Sequence, residues 1–376
     1  MVDTMAKWLT SHERSLLDSL YNLNHESIKN TVLDEYMKKI RQKRVKISSK
    51  KRYELYESGD LIQLWFQTPP CRFSEIGKCT MCNYWNGQKI PNIVQSMLKE
   101  ISLPDSCQTL LINTCGSCLD SYEVSDDDLL LLLDWLEKCK AKKIIFETHW
   151  TTLSLKKLDI IRRHIPNKSI MYEIGLESTN KDTLYYILNK PSSLIDIQTI
   201  IKKIHQHNAK CIINILFGIP FLTPKEQIMD TVSSIQFLLK QNVDYIVVFP
   251  INLKPQTLFM ELYKKNHYSP VPIKIIAEIF LKYFPSKLDR INIAWFGDRS
   301  EEGLIQPKMC NICASKTILL FKNYNSENSI ILRQKILDQI KNIECKCVQS
   351  YLNQTQYGSI YERFKKYYNF IIRGEE

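Results

Sequence analysis

The feature that most restricts the fold is a repeated alternation of apolar and amphipathic segments between residues 60 and 250. The apolar segments are short and rich in β-branched or aromatic side chains, as buried strands are. They are LIQLWFQ (61–67), TLLINT (109–114), KIIFET (143–148), SIMYEIGL (169–176), KCIINIL (210–216) and DYIVVF (244–249). Apolar strands separated by helices indicate parallel βαβ units, because helices cover both faces of a parallel sheet.

The segments between these strands have the periodicity of amphipathic helices. The clearest are DDDLLLLLDWLEKCK (126–140), SLKKLDIIRRH (154–164), DIQTIIKKIHQH (196–207) and KEQIMDTVSSIQFLLKQ (225–241). Six successive units suit a barrel or an incomplete barrel. A Rossmann sheet is disfavoured because no G-x-G-x-x-G follows any strand. The predicted class is therefore α/β, with an incomplete (βα)6 TIM-type barrel.

The chain divides into three regions by composition. Residues 1–58 form a charged, mostly helical extension that ends in the basic run KKIRQKRVKISSKKR (38–52), residues 59–255 form the barrel, and residues 256–376 form a C-terminal region. The C-terminal region is predicted to contain a helix at 268–285, a strand at 290–297, a polar loop at 324–329 and a helix near 331–341. The basic run fits either a solvated helix face or a phosphate-binding surface.

The charge and the N-terminus bear on partners and compartment. The 51 basic and 40 acidic residues give a net charge of +11, which permits a polyanionic partner without requiring one. The N-terminus has no apolar run of signal-peptide length, and no segment reaches the roughly 18–20 apolar residues of a membrane span. We expect a cytoplasmic protein without a membrane anchor, in which the 12 cysteines stay reduced. Grouped cysteines then indicate metal binding or catalysis.

The first predicted strand leads into TPPCRFSEIGKCTMCNYW, where Cys71, Cys79 and Cys82 have the spacing C-x7-C-x2-C. The carboxyl ends of the strands are the active-site face of a parallel barrel. Three thiolates in one loop can hold three irons of a [4Fe–4S] cluster and leave the fourth iron open. A structural zinc site would use four ligands, and no histidine in this loop completes such a set.

This loop and the strand ends resemble the radical S-adenosylmethionine (SAM) superfamily and, within it, the radical-SAM subunit of archaeosine synthase. The matching segments are GKCTMCNYW (77–85), NTCGSCLD (113–120), IIFETH (144–149), EIGLEST (173–179), FGIPFLTPKE (217–226) and CNIC (310–313). Two features depart from the superfamily's usual pattern. The spacing is wider than the common C-x3-C-x2-C, and Met81 replaces an aromatic residue before the third cysteine.

The resemblance implies that a reduced cluster cleaves SAM to methionine and a 5′-deoxyadenosyl radical, which abstracts a substrate hydrogen. It also implies an electron donor of the flavodoxin or ferredoxin type. The residues expected to contact SAM lie in the cysteine loop and at successive strand ends, where backbone atoms and carboxylates can approach the cofactor. They are Met81, Tyr84, Gly116, Ser117, Glu147, Glu177, Ser178, Gly218, Pro220 and Asn252.

His149 and Trp150 follow the third predicted strand and are expected to face the cavity. A polar and aromatic pair there could orient substrate or relay a proton; the alternative is an ordinary hydrogen-bonded loop histidine. The segment ETHWTT (147–152) stands where the resemblance predicts a more basic one. The substrate of the resembled family therefore does not follow directly.

The C-terminal region contains Cys310, Cys313, Cys345 and Cys347, as C-x2-C followed by C-x-C. Two such pairs indicate a four-thiolate site for zinc or for an auxiliary iron–sulfur cluster. The tight C-x-C half leaves open that these are ordinary cysteines. Cys115 and Cys118 are expected to be small apolar residues beside the SAM-binding turn. The remaining cysteines, which are Cys107, Cys139 and Cys211, are expected to pack in the core.

Three functions remain open from the sequence. The first is tRNA modification, in which the enzyme rearranges a lysine-bearing 7-deazaguanine nucleoside after a separate partner enzyme attaches the lysine, as the resemblance implies. The second is a radical reaction on a small molecule of a biosynthetic pathway, favoured by the ETHWTT segment and by the lack of a recognisable RNA-binding domain. The third is a non-enzymatic, metal-dependent RNA-binding protein, which the ordered strand-end motifs disfavour.

Overall fold

The sheet of the molecule is an open, mostly parallel barrel. The computed structural model describes residues 37–41, 52–190, 193–294, 304–307, 309–354, 358 and 362–363. The strands are β1 (Tyr53–Ser58), β2 (Leu61–Phe66), β3 (Thr109–Asn113), β4 (Lys143–Thr148), β5 (Ser169–Glu177), β6 (Lys210–Phe217), β7 (Tyr245–Pro250) and β8 (Ile291–Ile293). They pair in chain order; β1 runs antiparallel to β2, and every later pair is parallel.

Within these ranges β8 does not pair with β1, so the sheet curls without closing. All six strands predicted between residues 60 and 250 are present as β2 to β7. Of the strand expected at 290–297, residues 291–293 form β8, and residues 295–297 lie outside the described residues. The predicted α/β class and incomplete TIM-type barrel are confirmed.

Strand β1 differs from the sequence-based expectation. Tyr53–Ser58 lies at the end of the region expected to be helical, yet it forms a hairpin with β2 through a turn at Gly59, whose φ is +63°. The segment YELYES carries two glutamates among large side chains and is only partly buried along its length, which suits an edge strand. Of the extension before it, the structure describes a short helical stretch at 37–41 and Arg52; residues 1–36 and 42–51, most of the basic run, lie outside the described residues.

Helices connect the parallel strands and cover the outside of the sheet. They are α1 (Arg72–Glu75), α2 (Ile93–Glu100), α3 (Asp126–Lys138), α4 (Leu155–His164), α5 (Leu194–Gln206), α6 (Pro224–Lys240), α7 (Leu258–Lys264), α8 (Ile275–Tyr283), α9 (Ala314–Ser326), α10 (Ile330–Lys341) and α11 (Cys347–Leu352). Several begin at a side-chain cap; Thr223 and Glu226, for example, form a capping box at the start of α6. The helix expected at 268–285 is shorter, because it begins only at Ile275 after the Pro-rich entry.

The two faces of the sheet have different packing. The outer face carries residues such as Ile144, Phe146 and Tyr172, which join the helices in the main hydrophobic core. The inner, concave face has a separate small cluster built around Ile145, Met171 and Ile212, with no helix residue in it. Because side chains alternate along a strand, this cluster fixes which other strand residues point into the barrel.

The exposed edge of β8 is closed by a side chain from α9. The Asn325 amide accepts from the Ile293 N–H at 3.1 Å and donates to the Ile293 carbonyl at 2.7 Å, as a neighbouring strand would. The neighbouring Tyr324 is fully buried and donates to the Ile291 carbonyl at 2.8 Å. The prediction of a polar loop at 324–329 is therefore wrong for its first three residues, which form the end of α9.

Within the described part of the chain, no helix combines the length and apolarity that crossing a membrane requires.

Candidate active site and candidate metal centre

The three cysteines of the predicted cluster loop lie where the chain leaves β2 at its carboxyl end. Cys71 immediately precedes α1, and Cys79 and Cys82 follow it in an irregular segment. The loop closes on itself, because the Cys71 N–H donates to the Tyr84 carbonyl at 3.0 Å. Gly87 packs against the Pro69–Pro70 peptide so closely that a Cβ at this position would lie 2.5 Å from the Pro70 nitrogen. Only glycine fits this crossing.

Cys79 is held in an unusual backbone conformation by a distant part of the chain. Its φ is +59°, a left-handed conformation that a residue with a side chain adopts only when its surroundings enforce it. The Cys79 N–H donates to the Asn189 carbonyl at 3.1 Å, and the Thr80 N–H donates to the Leu188 carbonyl at 3.0 Å. The segment after β5 therefore fixes the backbone conformation of the cysteine loop through these hydrogen bonds.

Arg41 fixes the other side of the loop. Its guanidinium is buried and donates to the carbonyls of Ser74, Lys78 (2.9 Å) and Cys79 (3.1 Å). Arg41 belongs to the basic run at 38–52, for which the sequence predicted a solvated face or a phosphate surface. At this one position both expectations are wrong, because the charge serves to bind loop carbonyls in the interior.

Gly116 brings the turn after β3 against Cys71. A Cβ on Gly116 would lie 2.6 Å from Cys71 Cβ and 2.4 Å from Glu123 Oε1. The Glu123 carboxylate accepts from the Ser117 N–H at 2.9 Å, from Thr114 Oγ1 at 3.0 Å and from Thr68 Oγ1 at 3.2 Å. Burial raises the pKa of Glu123 to about 7. The turn that was expected to approach SAM thus lies directly beside the first cysteine.

The thiols differ in their acidity. A hydrogen bond from Cys79 lowers the pKa of Cys82 to about 5, with help from the charge of Arg41 and the Tyr84 backbone. The same hydrogen bond and burial raise the pKa of Cys79. Burial raises the pKa of Cys71 to about 12, with the nearby Cys82 and Glu123 adding to it. Cys82 is therefore the most acidic thiol of the group, and binding of a metal would displace the protons of the others.

The donor set fits an iron–sulfur cluster better than a single ion. Among the described residues, no set of three or more ligand atoms lying within 4.8 Å of one another includes Cys71, Cys79 or Cys82. One ion bound to all three would require such a set, whereas a cluster offers a separate iron to each thiolate. Three all-sulfur ligands in one loop, backed by a glycine that leaves no space for another side chain, are compatible with a [4Fe–4S] cluster.

Glu177, one of the predicted SAM contacts, forms a buried ion pair beside the loop. It lies at a bulge of β5 with φ +75°, and its Oε1 accepts from Lys190 Nζ at 2.7 Å. Lys190 also donates to the Gly175 carbonyl at 2.8 Å. Burial opposes the charge of Lys190, but attraction to Glu177 and the thiols of Cys79 and Cys82 outweighs it and keeps its pKa above the usual value.

Two predicted SAM contacts have hydroxyls that are already bound within the protein. Ser117 Oγ lies 2.7 Å from Thr148 Oγ1 and 2.8 Å from Thr152 Oγ1, and it accepts from the His149 N–H. Ser178 is fully buried and donates to Asp230 Oδ1 at 2.9 Å. These residues shape the strand ends through internal hydrogen bonds.

The remaining predicted contacts surround the same rim. Gly218 has φ +95° and its carbonyl accepts from the Tyr268 hydroxyl at 2.6 Å, and Pro220 is buried. Met81 packs against an apolar cluster, while the Tyr84 ring lies under the ammonium of Lys254 at 4.1 Å. Asn252, after β7, has a buried Oδ1 without a hydrogen-bond partner in the described structure. Glu147 lies near the carboxyl end of β4, and its carbonyl accepts from the Cys118 N–H.

His149 and Trp150 lie beside the cysteine loop. The His149 ring is 4.5 Å from the ring of Phe73, which follows Cys71 in α1. The Thr151 N–H donates to His149 Nδ1, so Nε2 carries the hydrogen in the neutral ring. Burial, and then the charge of Lys190, lower the pKa of His149 to about 3. The Nε2–H of His149 and the Nε1–H of Trp150 are buried donors without partners among the described residues.

The four C-terminal cysteines form a compact group. Their sulfurs all lie within 4.8 Å of one another, and the Cys310–Cys313 and Cys313–Cys347 sulfurs are 3.6 and 4.0 Å apart. Cys313 precedes α9 and Cys347 begins α11, so the group, with Cys345, joins the ends of two helices. The predicted convergence of these two cysteine pairs is confirmed.

The other five cysteines are all free thiols. Cys107 and Cys211 are fully buried, and Cys139 packs against the core while partly exposed. Cys115 and Cys118 lie beside the turn at Gly116 and are also buried.

Several residues of the site were missed by the sequence reasoning. They are four buried residues that are charged or titratable, namely Arg41, Glu123, Lys190 and Asp230. Arg41 and Asp230, for example, meet partners that lie 33 and 52 residues away in the chain. Asp230 lies on α6 and receives hydrogen bonds from Ser178 and Thr183; burial raises its pKa to about 7. No spacing motif identifies such residues, since their partners are brought together only by the fold.

Comparison with known proteins adds relatives but no family model, since none matches the chain. Archaeosine synthase subunit beta of Thermococcus kodakarensis is 24% identical over 245 residues, covering 61% of this chain and 74% of the relative. The protein of the same name from Methanosarcina acetivorans is 22% identical, covering 75% of this chain and 81% of the relative. An uncharacterized protein of Methanocaldococcus jannaschii is 24% identical, covering 83% and 90%.

Solved structures match more weakly. Methylornithine synthase has a TM-score of 0.46 at 13% identity, covering 88% of this chain and 96% of that one. Elp3 of Methanocaldococcus infernus has a TM-score of 0.45 at 13% identity, covering 68% and 59%. Scores of this size do not establish a shared fold, which is given instead by the strand order of the chain itself. The sequence relatives confirm the narrower part of the resemblance that the motifs indicate: the chain is similar to archaeosine synthase subunit beta.

Proposed function

We propose that the chain is a radical SAM enzyme. The observation that supports this most directly is the location of Cys71, Cys79 and Cys82 together at the carboxyl end of the first parallel strand of an open barrel. A [4Fe–4S] cluster held by these cysteines would supply the electron that cleaves SAM to methionine and a 5′-deoxyadenosyl radical, which abstracts a substrate hydrogen.

The contributions of the protein are to hold the loop, position the cofactor and exclude water. Arg41 and the backbone of 187–189 fix the loop from opposite sides. Gly116 lets the turn after β3 lie directly against Cys71, and Glu177, oriented by Lys190, presents a carboxylate at the next part of the rim. The rings of Phe73 and His149, both half-buried, lie 4.5 Å apart beside the loop and would limit access of water to the reaction.

The test is anaerobic reconstitution followed by reduction in the presence of SAM. We expect about four irons per chain at this site and formation of 5′-deoxyadenosine. Cys79→Ala should abolish the product, whereas Cys139→Ser, which changes a cysteine outside the loop, should retain it. Full 5′-deoxyadenosine formation by Cys79→Ala would refute the assignment.

For the substrate, we propose a tRNA that carries a lysine-modified 7-deazaguanine, with a separate partner enzyme that attaches the lysine. The support is the similarity to archaeosine synthase subunit beta, whose name denotes one subunit of an assembly, together with the net charge of +11. A flavodoxin or ferredoxin is the proposed electron donor. Binding of tRNA should weaken steeply with salt, because phosphate contacts release counterions.

A small-molecule substrate is the second candidate. The ETHWTT segment favours it, because Glu147, His149 and Trp150 bring one acidic and two neutral side chains, and no cation, to the rim. Measuring tRNA binding at a series of salt concentrations separates the two candidates. The absence of detectable tRNA binding at low salt would favour the small molecule.

We propose further that Cys310, Cys313, Cys345 and Cys347 hold one zinc ion. With zinc–sulfur bonds of about 2.3 Å, the sulfurs of a tetrahedral site lie roughly 3.8 Å apart. The Cys310–Cys313 and Cys313–Cys347 sulfur separations of 3.6 and 4.0 Å bracket that value. A [4Fe–4S] cluster binds each thiolate to a different iron and spreads the sulfurs further. The expected metal content of the reconstituted protein is therefore about one zinc and about four irons, and about eight irons would refute the zinc assignment.

A further inference from the structure

The loop that follows β6 has a backbone that its own sequence does not explain. We call it the β6 loop and define it as residues 218–222, between the end of β6 and Thr223, the cap of α6. Gly218 and Phe221 have positive φ angles, +95° and +69°. A phenylalanine adopts this conformation only when its surroundings enforce it. The shape of the loop therefore depends on contacts from outside it.

One of these contacts is a single amide that spans the loop. Gln227, on the first turns of α6, is 5% exposed. Its Nε2 donates to the Ile219 carbonyl at 3.1 Å and to the Leu222 carbonyl at 2.9 Å. Because a carbonyl only accepts, the atom that faces both of them is the amide nitrogen, and the Gln227 oxygen points the other way.

The other contacts come from the C-terminal region. The Tyr268 hydroxyl donates to the Gly218 carbonyl at 2.6 Å, and Arg363 Nε donates to the Phe221 carbonyl at 2.9 Å. The β6 loop thus belongs to the barrel in sequence, but its backbone is fixed largely by residues that lie after the barrel in the chain.

Tyr351, on α11, connects the Gln227 amide to the same region. Its hydroxyl donates to Gln227 Oε1 at 2.6 Å, and the side chain is 3% exposed. Its ring meets the ring of Phe217, the last residue of β6, edge to face at a centroid distance of 6.5 Å. Tyr351 therefore holds the oxygen of the amide whose nitrogen holds the loop.

The position of Tyr351 depends in turn on the C-terminal cysteine group. Helix α11 spans only Cys347–Leu352, and a helix of this length is not stable in water without tertiary contacts. Its first residue, Cys347, belongs to the cysteine group, with its sulfur 4.0 Å from that of Cys313. Tyr351 lies four residues later and so one helical turn along the same face. A metal bound by the cysteines would fix the start of α11 and, with it, the hydroxyl that reaches Gln227.

We propose that Gln227 and Tyr351 are positioning residues for SAM, and that through them the metal-bound C-terminal cysteine group sets the shape of the β6 loop. The inference rests on the proposed function in one respect, namely that the β6 loop, with Gly218 and Pro220, contacts SAM. The C-terminal group then contributes to cofactor binding without touching the cofactor, because loss of its metal releases α11 and leaves the Gln227 amide without its tyrosine partner.

The test measures SAM affinity by anaerobic calorimetry on the reconstituted, unreduced protein, together with its metal content. Tyr351→Phe removes the hydroxyl and keeps the ring, and we expect SAM to bind about threefold to tenfold more weakly. Zinc and iron should remain at about one and about four per chain. Gln227→Met, which removes both bonds to the loop, should weaken SAM binding about tenfold or more. The control Ser350→Ala, on an exposed position of α11, should leave it unchanged.

A second measurement asks whether the hydroxyl and the cysteine group act together. Cys313→Ser should also weaken SAM binding, and the double variant Cys313→Ser with Tyr351→Phe should bind SAM about as Cys313→Ser does, because both changes break the same connection. Hydrogen exchange of the peptide that covers residues 218–222, followed by mass spectrometry, should be faster in both single variants than in the wild type. A residue that only stabilises the fold would lower the unfolding temperature without producing this coupling.

Two outcomes would overturn the inference. One is that Tyr351→Phe and Cys313→Ser match the wild type in SAM affinity and in exchange of the β6 loop. The other is that the losses of affinity in the double variant add in full, which would mean that the hydroxyl does not act through the cysteine group. Failure of the proposed function is recognised separately, by a wild-type protein with about four irons that neither binds SAM nor forms 5′-deoxyadenosine. If Gln227→Met does not fold, the conservative Tyr351→Phe still decides the question.

Discussion

The two cysteine groups of this chain use the same ligand atom in opposite ways. The loop group at Cys71, Cys79 and Cys82 has three thiols, an irregular backbone and support from distant segments, and among the described residues its sulfurs do not form a compact metal-ligand set. The C-terminal group has four sulfurs packed within 4.8 Å between two helix ends. The number and spacing of the thiols, rather than their presence, therefore distinguish an open reactive site from a closed structural one.

The largest expected effect comes from breaking the closed group. Cys313 is 2% exposed and contacts two of the other sulfurs, so Cys313→Ser should remove the zinc, from about one per chain to nearly none. The iron content of the loop should remain at about four per chain. Metal analysis of the purified variant measures both. If iron fell by half while zinc was absent from the wild type, the two groups would be of the same kind and the comparison would be wrong.

A second prediction concerns the ion pair that supports the open group. Lys190→Met leaves the buried Glu177 carboxylate without its partner, which should lower the free energy of unfolding by about 3–5 kcal/mol. We expect loss of loop iron and retention of zinc. Chemical denaturation followed by circular dichroism measures the first effect.

The matched control is the double variant Lys190→Met with Glu177→Gln. Because it carries no unpaired charge, it should recover at least half of the lost stability. A Lys190→Met protein as stable as the wild type would show that the pair does not support the loop.

The third prediction is a pH dependence of stability that arises in the barrel, at Asp230. Burial raises the pKa of Asp230 from its ordinary 3.8 to about 7. The folded state therefore binds a proton more tightly than the unfolded state, and stability should fall as the pH rises from about 4 through about 7. Asp230→Asn keeps the hydrogen-bond acceptor without the charge. It should reduce this dependence, to which the raised pKa of Glu123 also contributes, and raise stability at pH 8 by roughly 2–4 kcal/mol.

Thermal unfolding midpoints at a series of pH values check the third prediction. Asp134→Asn, which removes an exposed carboxylate from α3, is the control and should keep the slope of the wild type. A slope that is unchanged in Asp230→Asn would mean that Asp230 does not carry the dependence.

The smallest predicted effect tests how the C-terminal region is attached to the barrel. Asn325→Leu removes both hydrogen bonds to the edge of β8, which should cost about 1–2 kcal/mol of stability. Asn323→Leu, on an exposed position of the same helix, should cost little. Equal effects of the two substitutions would contradict the role of Asn325 as a substitute strand.

The sequence predicted the barrel well because buried strands and amphipathic helices carry their own periodicity. It predicted Cys71, Cys79 and Cys82 as a group, and the convergence of the C-terminal cysteines, because those residues are close in the chain or paired by spacing. It did not predict β1, whose charged residues obscured an edge strand, or the helical Tyr324, which is buried by a contact with β8. Nor did it predict Arg41 and Lys190, because a buried cation is explained only by partners that the fold brings from elsewhere.

The support of the cysteine loop from both sides has a consequence for synthesis on the ribosome. Arg41 is translated before the loop, but the carbonyls of Ile187, Leu188 and Asn189 that hold Thr80 and Cys79 are translated more than one hundred residues after it. The loop therefore cannot reach its final shape until β5 and the segment after it have emerged. Iron delivered to a nascent chain shorter than this would meet three cysteines on a flexible segment, so the time window for productive metallation opens only when the first half of the barrel has formed.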